Sequence, residues 1–400
     1  MSTQESTHGL PLSGVRVVEM THMVMGPACG MILAQLGAEV IKVEPPAGDK
    51  TRSLGGMGTS FFPLFNRGKR SVVLDFDKGE DQATMHRLLQ SADVFLENFR
   101  DGQLEKQGLG ADELRRKYPH LIVAGHKGFL SGPYEHRPAL DEVVQMMSGL
   151  AAMTGTQDKP QRVGSSANDI MGGMFGAIAI LAALYQRGDV RKGVEPGADI
   201  RIGLFENCLF LVAQHMVEYE MTGNKPRSMP EREHAWPIYD IFETASGERI
   251  FIGVVTEGHW QSFCREFGLS EFADDPALRT TTDRILARGR IIPRVAEVIK
   301  GWNAIELSAT LDRLNICFSP INRPEDLFAD PHVLRQGGLV NNTNANGEAF
   351  RVPALPIEWN GANIGEGLKV PVLGADTDAV RAELEAQALS STGKTAARLA

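Results

Sequence analysis

One aspartate of this chain stands where a carboxylate could act as a nucleophile. Asp169 opens a segment of Gly, Ala, Ile, Leu and Met that ends near Gly188. The pattern predicts a helix that is apolar on nearly every face, so we expect it inside the protein, with the carboxylate at its start partly desolvated. The helix dipole would hold that carboxylate ionised. Such a group suits covalent catalysis on a thioester, although an aspartate there could equally be a plain N-cap.

Three glycines follow Asp169 on the same predicted helix, at Gly172, Gly173 and Gly176. They add little helix propensity and no side-chain bulk. Their absence of bulk either lets another helix pack closely or leaves room for a substrate beside Asp169. The sequence alone leaves both interpretations open.

The sequence gives little indication of a nucleotide-binding or metal-binding motif. The first predicted strand-to-helix turn has Gly26 and Gly30 but no G-x-G-x-x-G, and Pro27 removes a backbone donor that a pyrophosphate would use. Glu44 ends the second strand and would suit a ribose hydroxyl, but one strand-end glutamate is a common feature. The four cysteines are far apart and form no C-x-x-C pair, which disfavours a zinc site or a disulfide framework.

Alternating strands and helices surround these residues. Apolar patterns predict strands at 15–20, 40–44, 71–74, 94–97 and 121–124, with helices at 27–37 and 82–89 between them. Strand, helix and strand within about 30 residues form a βαβ unit, which implies a parallel sheet. We therefore predict a doubly wound α/β domain.

The composition changes after this domain. Residues 222–232 are rich in Pro, Gly, Arg and Glu and are predicted to be a linker. A β-hairpin at 238–242 and 249–254 follows, and then helices at 259–267, 291–300 and 304–314, which together predict a small α+β domain. The chain ends in short strands, a charged helix at 377–387 and a tail that we expect to be disordered from about 388.

Composition and charge exclude several function classes. The chain has 400 residues, which suits two domains, with 42% hydrophobic and 23% charged residues. A net charge of -9 makes nucleic acid an unfavourable partner, while local basic clusters could still bind small anions. The N-terminus is polar, and the longest apolar run, 170–185, is shorter than the roughly 18 residues of a membrane span. We expect a cytoplasmic protein that does not bind a membrane.

Several short motifs occur along the chain in one particular order. They are LGAEVIKVE at 36–44, NRGKRSVVLD at 66–75, ADVFLENFR at 92–100, GPY at 132–134, Trp260, DPH at 330–332 and PVLG at 371–374. Together they resemble the class III CoA-transferase family of the CaiB/BaiF type, which includes formyl-CoA transferase and crotonobetainyl-CoA:carnitine CoA-transferase. The resemblance runs from about Leu12 to Val380.

The resemblance implies an architecture. Family members have a Rossmann-like large domain formed by both chain ends, a small α+β domain between them, and two subunits that interlock as a homodimer. On this chain the large domain would take 1–222 and 331–400, and the small domain with its linkers 223–330.

The resemblance also implies a mechanism, in which Asp169 matches the family's nucleophile. The carboxylate would attack an acyl-CoA to give a mixed anhydride and CoA thiolate, and the thiolate would then form an aspartyl-CoA thioester from which a free carboxylic acid takes the CoA. No cofactor beyond coenzyme A as substrate, and no metal, is expected. The residues that match the family's CoA contacts are Val24, Met25, Leu74, Asp75, Phe76, Asp77, Asn98, Phe99, Arg100, Lys106 and Lys127.

This chain departs from the family pattern in three places. Pro45 and Asp101 stand where family members often have an arginine and a proline. The segment TASGE at 244–248 has one glycine where formyl-CoA transferases carry a run of them, which disfavours a formyl or oxalate substrate.

Two alternative functions remain. A racemase of 2-methylacyl-CoA esters in the same superfamily needs a His and an Asp as bases. Its His aligns with Leu140, which cannot move a proton, and the nearby His126 is more simply an ordinary strand-end histidine. A non-catalytic CoA-binding protein is the other alternative, and measurable turnover would exclude it.

The acid substrate is predicted only as a class. Arg52, Arg137 and Arg162 lie in segments near the expected site and could pair with a second carboxylate, although each could also be a surface arginine. They point to dicarboxylic acids, such as succinate or a methyl-branched unsaturated diacid.

Overall fold

Six strands form a parallel sheet in this computed structural model, which describes residues 9–188, 196–232 and 234–399. Their order is β3-β2-β1-β4-β5-β6, and every neighbouring pair runs parallel. A mixed α/β fold with a parallel central sheet is thus confirmed. The strands are β1 (Arg16–Met20), β2 (Glu39–Glu44), β3 (Arg70–Val73), β4 (Val94–Glu97), β5 (Ile122–Lys127) and β6 (Asp199–Gly203).

Successive residues of each strand enter two separate cores. Val17 and Val94 pack with one cluster of buried residues, whereas Val18 and Phe95, their chain neighbours, pack with another on the opposite face. Since side chains alternate across a strand, both faces of this sheet are covered. That explains why the sequence shows continuous apolar runs rather than an apolar–polar alternation.

Within the described residues 9–188 and 196–222, eight α-helices flank the sheet and its loops. They are α1 (Met25–Gln35), α2 (Phe61–Phe65), α3 (Gly79–Ser91), α4 (Ala111–Lys117), α5 (Asp141–Met147), α6 (Leu150–Thr154), α7 (Ala167–Arg187) and α8 (Leu204–Thr222). The sequence patterns did not predict β6, and they did not predict the helices α2, α4, α5, α6 and α8.

The glycines of α7 allow close packing against α1. A Cβ atom at Gly173 would lie 2.9 Å from the backbone nitrogen of Cys29, and one at Gly172 would lie 2.4 Å from Met25 Cε. At Gly176 it would lie 2.4 Å from His126 Nε2. The suggestion that these glycines leave room for a substrate is therefore wrong, because α1 and His126 fill that space.

Among the described helices, α7 alone is long and apolar enough to cross a membrane by length and composition. The sequence estimate missed this because it counted only the unbroken apolar run 170–185. The buried residues of α7 include its three glycines and Ile180, which face the core of the sheet domain. One face of α7 therefore packs in the interior, whereas Met174, Ile178 and Tyr185 on the same helix are exposed.

The chain divides into two compact units, Met1–Pro230 with Leu334–Ala400 and Glu231–Val333. The second unit covers nearly the same residues as the small domain that we predict, with its linkers, at 223–330. Its hairpin, predicted at 238–242 and 249–254, is present as an antiparallel pair, joined by a third strand that the sequence did not reveal. The elements are β7 (Ile238–Glu243), β8 (Arg249–Val254), α9 (Glu257–Glu266), α10 (Ser270–Ala273), α11 (Thr281–Leu286), α12 (Arg288–Ile299), α13 (Ala304–Arg313) and β9 (Cys317–Pro320).

The last segment of the chain belongs to the first unit. Val380 and Leu384 enter the same core as the sheet, and Glu383 accepts two hydrogen bonds from Arg70 at 2.8 and 2.9 Å. The final helix is longer than the predicted 377–387 and includes most of the tail for which we expected disorder. Alanine, leucine and arginine in that tail are strong helix formers. The elements are β10 (Leu339–Thr343), β11 (Ala349–Pro353), β12 (Glu358–Trp359), β13 (Ala362–Asn363) and α14 (Thr377–Leu399).

Candidate active site

Most of the predicted site residues follow the carboxyl ends of parallel strands. Met25 comes after β1, the segment 74–77 after β3, and the segment 98–100 after β4, while Lys127 ends β5. The order of the sheet reverses between β1 and β4, and in open α/β sheets ligands bind outside the strand ends at such a point. The fold thus brings these segments to one edge.

The loops after β1 and β4 are joined at this edge. Asn98 accepts a hydrogen bond from the backbone nitrogen of His22 at 3.0 Å and donates one to its carbonyl at 2.7 Å. The rings of His22 and Phe99 lie 5.6 Å apart. Two predicted CoA-contact residues, Asn98 and Phe99, therefore connect the loop after β4 to the loop after β1.

Lys127 is engaged by acidic partners rather than free. Its Nζ lies 2.8 Å from Glu97 and 3.1 Å from Asp101, and donates to the Phe99 carbonyl at 3.0 Å. Burial alone would lower the pKa of Lys127, but the two carboxylates raise it. Asp101, one of the departures from the family pattern, also pairs with Arg201 at 3.1 Å.

Arg100 and Lys127 line one cavity of about 100 Å³ together with Asp101 and Arg201. The cavity does not include Asp169. Lys106 is exposed and lies outside the lining.

The remaining predicted CoA contacts differ in exposure. Leu74 is fully buried in the core of the sheet domain, and Phe76 packs partly against the same core. The backbone nitrogen of Asp75 donates to Asp81 at 2.8 Å, and Asp77 is exposed. The backbone nitrogen of Leu74 donates to the Glu44 carbonyl at 3.0 Å.

Asp169 lies in the first turn of α7, three residues after the N-cap, Ser166. The plain N-cap interpretation is therefore wrong for this aspartate. Its backbone nitrogen donates to Asp141 Oδ2 at 3.2 Å. The preceding Asn168 donates to the Leu204 carbonyl at 2.9 Å, which fixes the turn to the start of α8.

The charge environment of Asp169 is unfavourable to its ionised form. Burial raises the pKa of Asp169 to about 7, with further contributions from the negative charges of Asp141 and Glu142. Among the described residues, no side chain donates a hydrogen bond to its carboxylate. The expectation that the helix dipole keeps this group ionised was too simple, because desolvation and like charges outweigh the dipole. When ionised, such a carboxylate is a strong nucleophile.

Asp141 belongs to a buried pair on α5 that the sequence analysis missed as a site feature. Gln145 donates from its side-chain amide to Asp141 Oδ1, and its Oε1 accepts from the Val163 backbone nitrogen at 2.9 Å. Both side chains are buried. The i, i+4 spacing of an acid and an amide on one helix was the available signal.

The structure distinguishes the arginines considered for the acid substrate. Arg52 Nε and Nη2 donate to the Glu44 carboxylate at 2.7 and 2.6 Å, Nη1 donates to the Pro371 carbonyl at 2.9 Å, and the guanidinium lies 3.9 Å from the Phe62 ring centre. All three nitrogens of Arg52 are thus engaged, which does not favour a role in binding an acid.

Arg137 and Arg162 are less committed. Arg137 is exposed and stacks on the Tyr134 ring at 4.9 Å. Arg162 forms an ion pair with Glu142, one of the two acids that raise the pKa of Asp169, and its Nη2 lies 3.7 Å from Met57 Sδ.

The position that aligns with the racemase histidine carries no base. Leu140 is exposed at the start of α5. Burial lowers the pKa of His126 to about 4, so its imidazole is neutral at physiological pH. In residues 9–188, 196–232 and 234–399, no group of three or more His, Cys, Asp or Glu side chains is placed to hold a metal ion.

Comparison with known proteins gives consistent matches over nearly the whole chain. The family model described as CoA-transferase family III matches residues 12–377. The succinate–glutarate CoA-transferase of Agrobacterium fabrum is 32% identical, over 94% of this chain and 96% of the relative. The succinyl-CoA–D-citramalate CoA-transferase of Chloroflexus aurantiacus is 33% identical, over 89% and 92%. The crystal structure of a CaiB/BaiF family protein from Brucella suis superposes with a TM-score of 0.82 at 33% identity, covering 94% of this chain and 99% of that one.

Proposed function

This chain belongs to CoA-transferase family III and is a CoA-transferase, and we propose that it moves CoA to a dicarboxylic acid through covalent intermediates on Asp169. The observation that carries the proposal is the state of Asp169. It is a half-buried carboxylate whose pKa is raised to about 7 and which receives no side-chain hydrogen bond from the described residues. Perturbed carboxylates of this kind are candidates for catalysis.

The proposed chemistry needs only acyl exchange. The Asp169 carboxylate attacks the thioester carbonyl of the donor, the C–S bond breaks, and a mixed anhydride and CoA thiolate form. The thiolate attacks the Asp169 carbonyl of the anhydride, which releases the donor acid and leaves an aspartyl-CoA thioester. The acceptor carboxylate then repeats the two steps in reverse, and Asp169 is regenerated. No electrons change hands, so the proposed steps require neither a redox cofactor nor a metal.

The acid class is proposed from two lines of support. Relatives that cover most of this chain are named for succinate, glutarate, citramalate and mesaconate. The arginine Arg162 joins the acidic group around Asp169 through Glu142. A diacid would bring one carboxylate to Asp169 and a second to a cation.

We propose that CoA lies along the carboxyl edge of the sheet. The loops after β1 and β4 meet at the switch point, and the cavity with Arg100 and Lys127 lies next to it, along β4, β5 and β6. Cationic side chains suit the CoA phosphates. Lys127 would exchange part of its pairing with Asp101 for a phosphate.

We also propose an interlocked homodimer in the cytoplasm. Large apolar side chains are exposed on three neighbouring helices, α5, α7 and α8, and a surface of this kind marks a contact with another chain. A second subunit is the partner that the family fold provides. The exposed residues are Val143, Met146, Met147, Met174, Ile178, Tyr185, Phe210, Leu211, Met216, Val217, Tyr219 and Met221.

A panel assay tests the proposed function. The protein is mixed with succinyl-CoA and an equimolar set of mono- and dicarboxylic acids, and new acyl-CoA species are identified by mass spectrometry. We expect the CoA thioesters of the dicarboxylic acids to form first. Asp169→Ala is the inactive control. Formation of CoA esters from monocarboxylic acids alone would contradict the proposed substrate class. Exchange of deuterium at an acyl α-carbon, without transfer, would favour a racemase.

A further inference from the structure

The segment that carries Arg162 is held by the same buried pair that holds Asp169. Asp141 accepts the backbone hydrogen bond of Asp169 at 3.2 Å, and Gln145, bonded to Asp141, accepts that of Val163 at 2.9 Å. The arginine next to Val163 is therefore fixed relative to the start of α7 through two buried side chains.

The surroundings of Asp169 are negatively charged and would repel an incoming anion. Asp141 and Glu142 both contribute negative charge at Asp169, and an acid substrate adds at least one more. Arg162 is the cation that pairs with this acidic group, through Glu142. A dianionic substrate would be repelled here unless a cation received its second carboxylate.

The pairing of Arg162 leaves it able to receive a substrate. Its partner Glu142 has a side chain that is 50% exposed, whereas the arginine is 31% exposed. A surface ion pair of this kind contributes little stability, so a second carboxylate can share or replace it at small cost. Arg52, by contrast, is fixed by a bidentate bond to a buried glutamate.

We propose that Arg162 is the specificity residue that binds the distal carboxylate of the acid substrate. The guanidinium presents donors in a planar fork that matches a carboxylate. A diacid joined to Asp169 at one end engages Arg162 at the other, while a monocarboxylate of equal length leaves Arg162 with Glu142 alone. This inference rests on the proposed transfer through Asp169 and names the residue that selects the acid.

Isotope exchange separates this role from general damage, because each exchange uses one acid only. The enzyme is given succinyl-CoA with labelled succinate, or butyryl-CoA with labelled butyrate, and label entering the CoA ester is measured. For Arg162→Gln we expect kcat/KM for succinate exchange to fall about 10- to 100-fold, as for a lost charged hydrogen bond. Butyrate exchange should stay within about threefold. The matched control is Arg294→Gln, a surface arginine with acidic partners of its own.

A second variant acts in the opposite direction. Glu142→Gln removes the competitor for the guanidinium, so the KM for succinate should fall severalfold. An ion pair that is merely structural would make both variants lose activity alike, and that result would overturn the inference. An equal fall of both exchanges in Arg162→Gln, or no change in either, would also overturn it. If the wild type formed no adduct on Asp169, the proposed mechanism itself would fail instead.

Discussion

Two groups of charged side chains in the sheet domain differ in how their charges are matched. In the first group, Lys69 Nζ lies 2.8 Å from Glu19, and Lys42 Nζ lies 3.0 Å from Asp49 and 3.5 Å from Glu19. All of these side chains are nearly or fully buried. The second group has three acids, Asp141, Glu142 and Asp169, and a partly exposed arginine, Arg162, that pairs with Glu142.

The contrast separates a structural role from a reactive one. Lys69 also donates to the Pro27 carbonyl at 3.0 Å and to Asn66 at 3.0 Å, so the matched group ties α1 to the loop before β3. A buried charge whose partners are complete stabilises one arrangement, and removing a partner is strongly destabilising. Unmatched like charges instead raise the free energy of the ionised carboxylate, which favours chemistry at that atom.

The largest effect that we expect on stability concerns the matched group. Lys69→Met should lower the free energy of unfolding by about 3–5 kcal/mol, because Glu19 loses its closest cation in a buried site. Urea denaturation measures this, and Lys78→Met, which removes an exposed pair with Asp75, is the control expected to change it by less than about 1 kcal/mol. A change as small as that of the control would remove the structural role that we assign to Lys69.

Removing a charge from the unmatched group should raise the free energy of unfolding, whereas Lys69→Met lowers it. The folded-state pKa of Asp169, about 7, is above its value of roughly 3.9 in the unfolded chain. Its stabilising contribution is therefore complete below the unfolded value and is lost as the pH rises through 7. Asp169→Asn avoids the charge and should raise the free energy of unfolding at pH 8 by about 1–3 kcal/mol, and at pH 5 by about a third of that amount. Lower stability of this variant at pH 8 would mean that the ionised carboxylate is well accommodated.

A smaller effect should appear in the pH dependence of activity. The ionised form of Asp169 is the nucleophile, so kcat/KM should rise with pH through about 7. Asp141→Asn keeps an acceptor for the backbone of Asp169 but removes one negative charge. We expect the acidic limb to move down by about one pH unit, or about 1.4 kcal/mol. Glu142, which also raises the pKa of Asp169, and its partner Arg162 are left in place by Asp141→Asn. An unmoved limb would show that Asp141 does not set the ionisation of Asp169.

The sequence predicted what depends on local pattern. Apolar runs located five of the six parallel strands, and the order of the motifs gave the family. The hairpin of the second unit followed from alternation and a turn. In each case the signal lies within a short stretch of chain, where side-chain periodicity reports burial directly.

What the sequence did not predict depends on contacts between distant residues. The pairing of Lys69 with Glu19 joins residues 50 positions apart. Arg52 was a candidate for binding the acid substrate. The sequence around it does not reveal that it is bound by Glu44 and by the Pro371 carbonyl, 319 positions away. The raised pKa of Asp169 arises from burial and from α5, so the helix dipole alone suggested the wrong charge state.

The measurement that tests the central claim most directly is the search for a covalent intermediate on Asp169. The protein is incubated with acyl-CoA and no acceptor, treated with hydroxylamine or borohydride, digested, and examined by mass spectrometry. The account predicts that the peptide containing Asp169 carries a hydroxamate after hydroxylamine, or a primary alcohol after borohydride, in place of the Asp169 carboxyl group. Asp169→Asn should show neither change, and its transfer rate should fall by more than about a thousandfold. An active wild type whose Asp169 peptide stays unmodified, or an Asp169→Asn variant within tenfold of wild type, would contradict it.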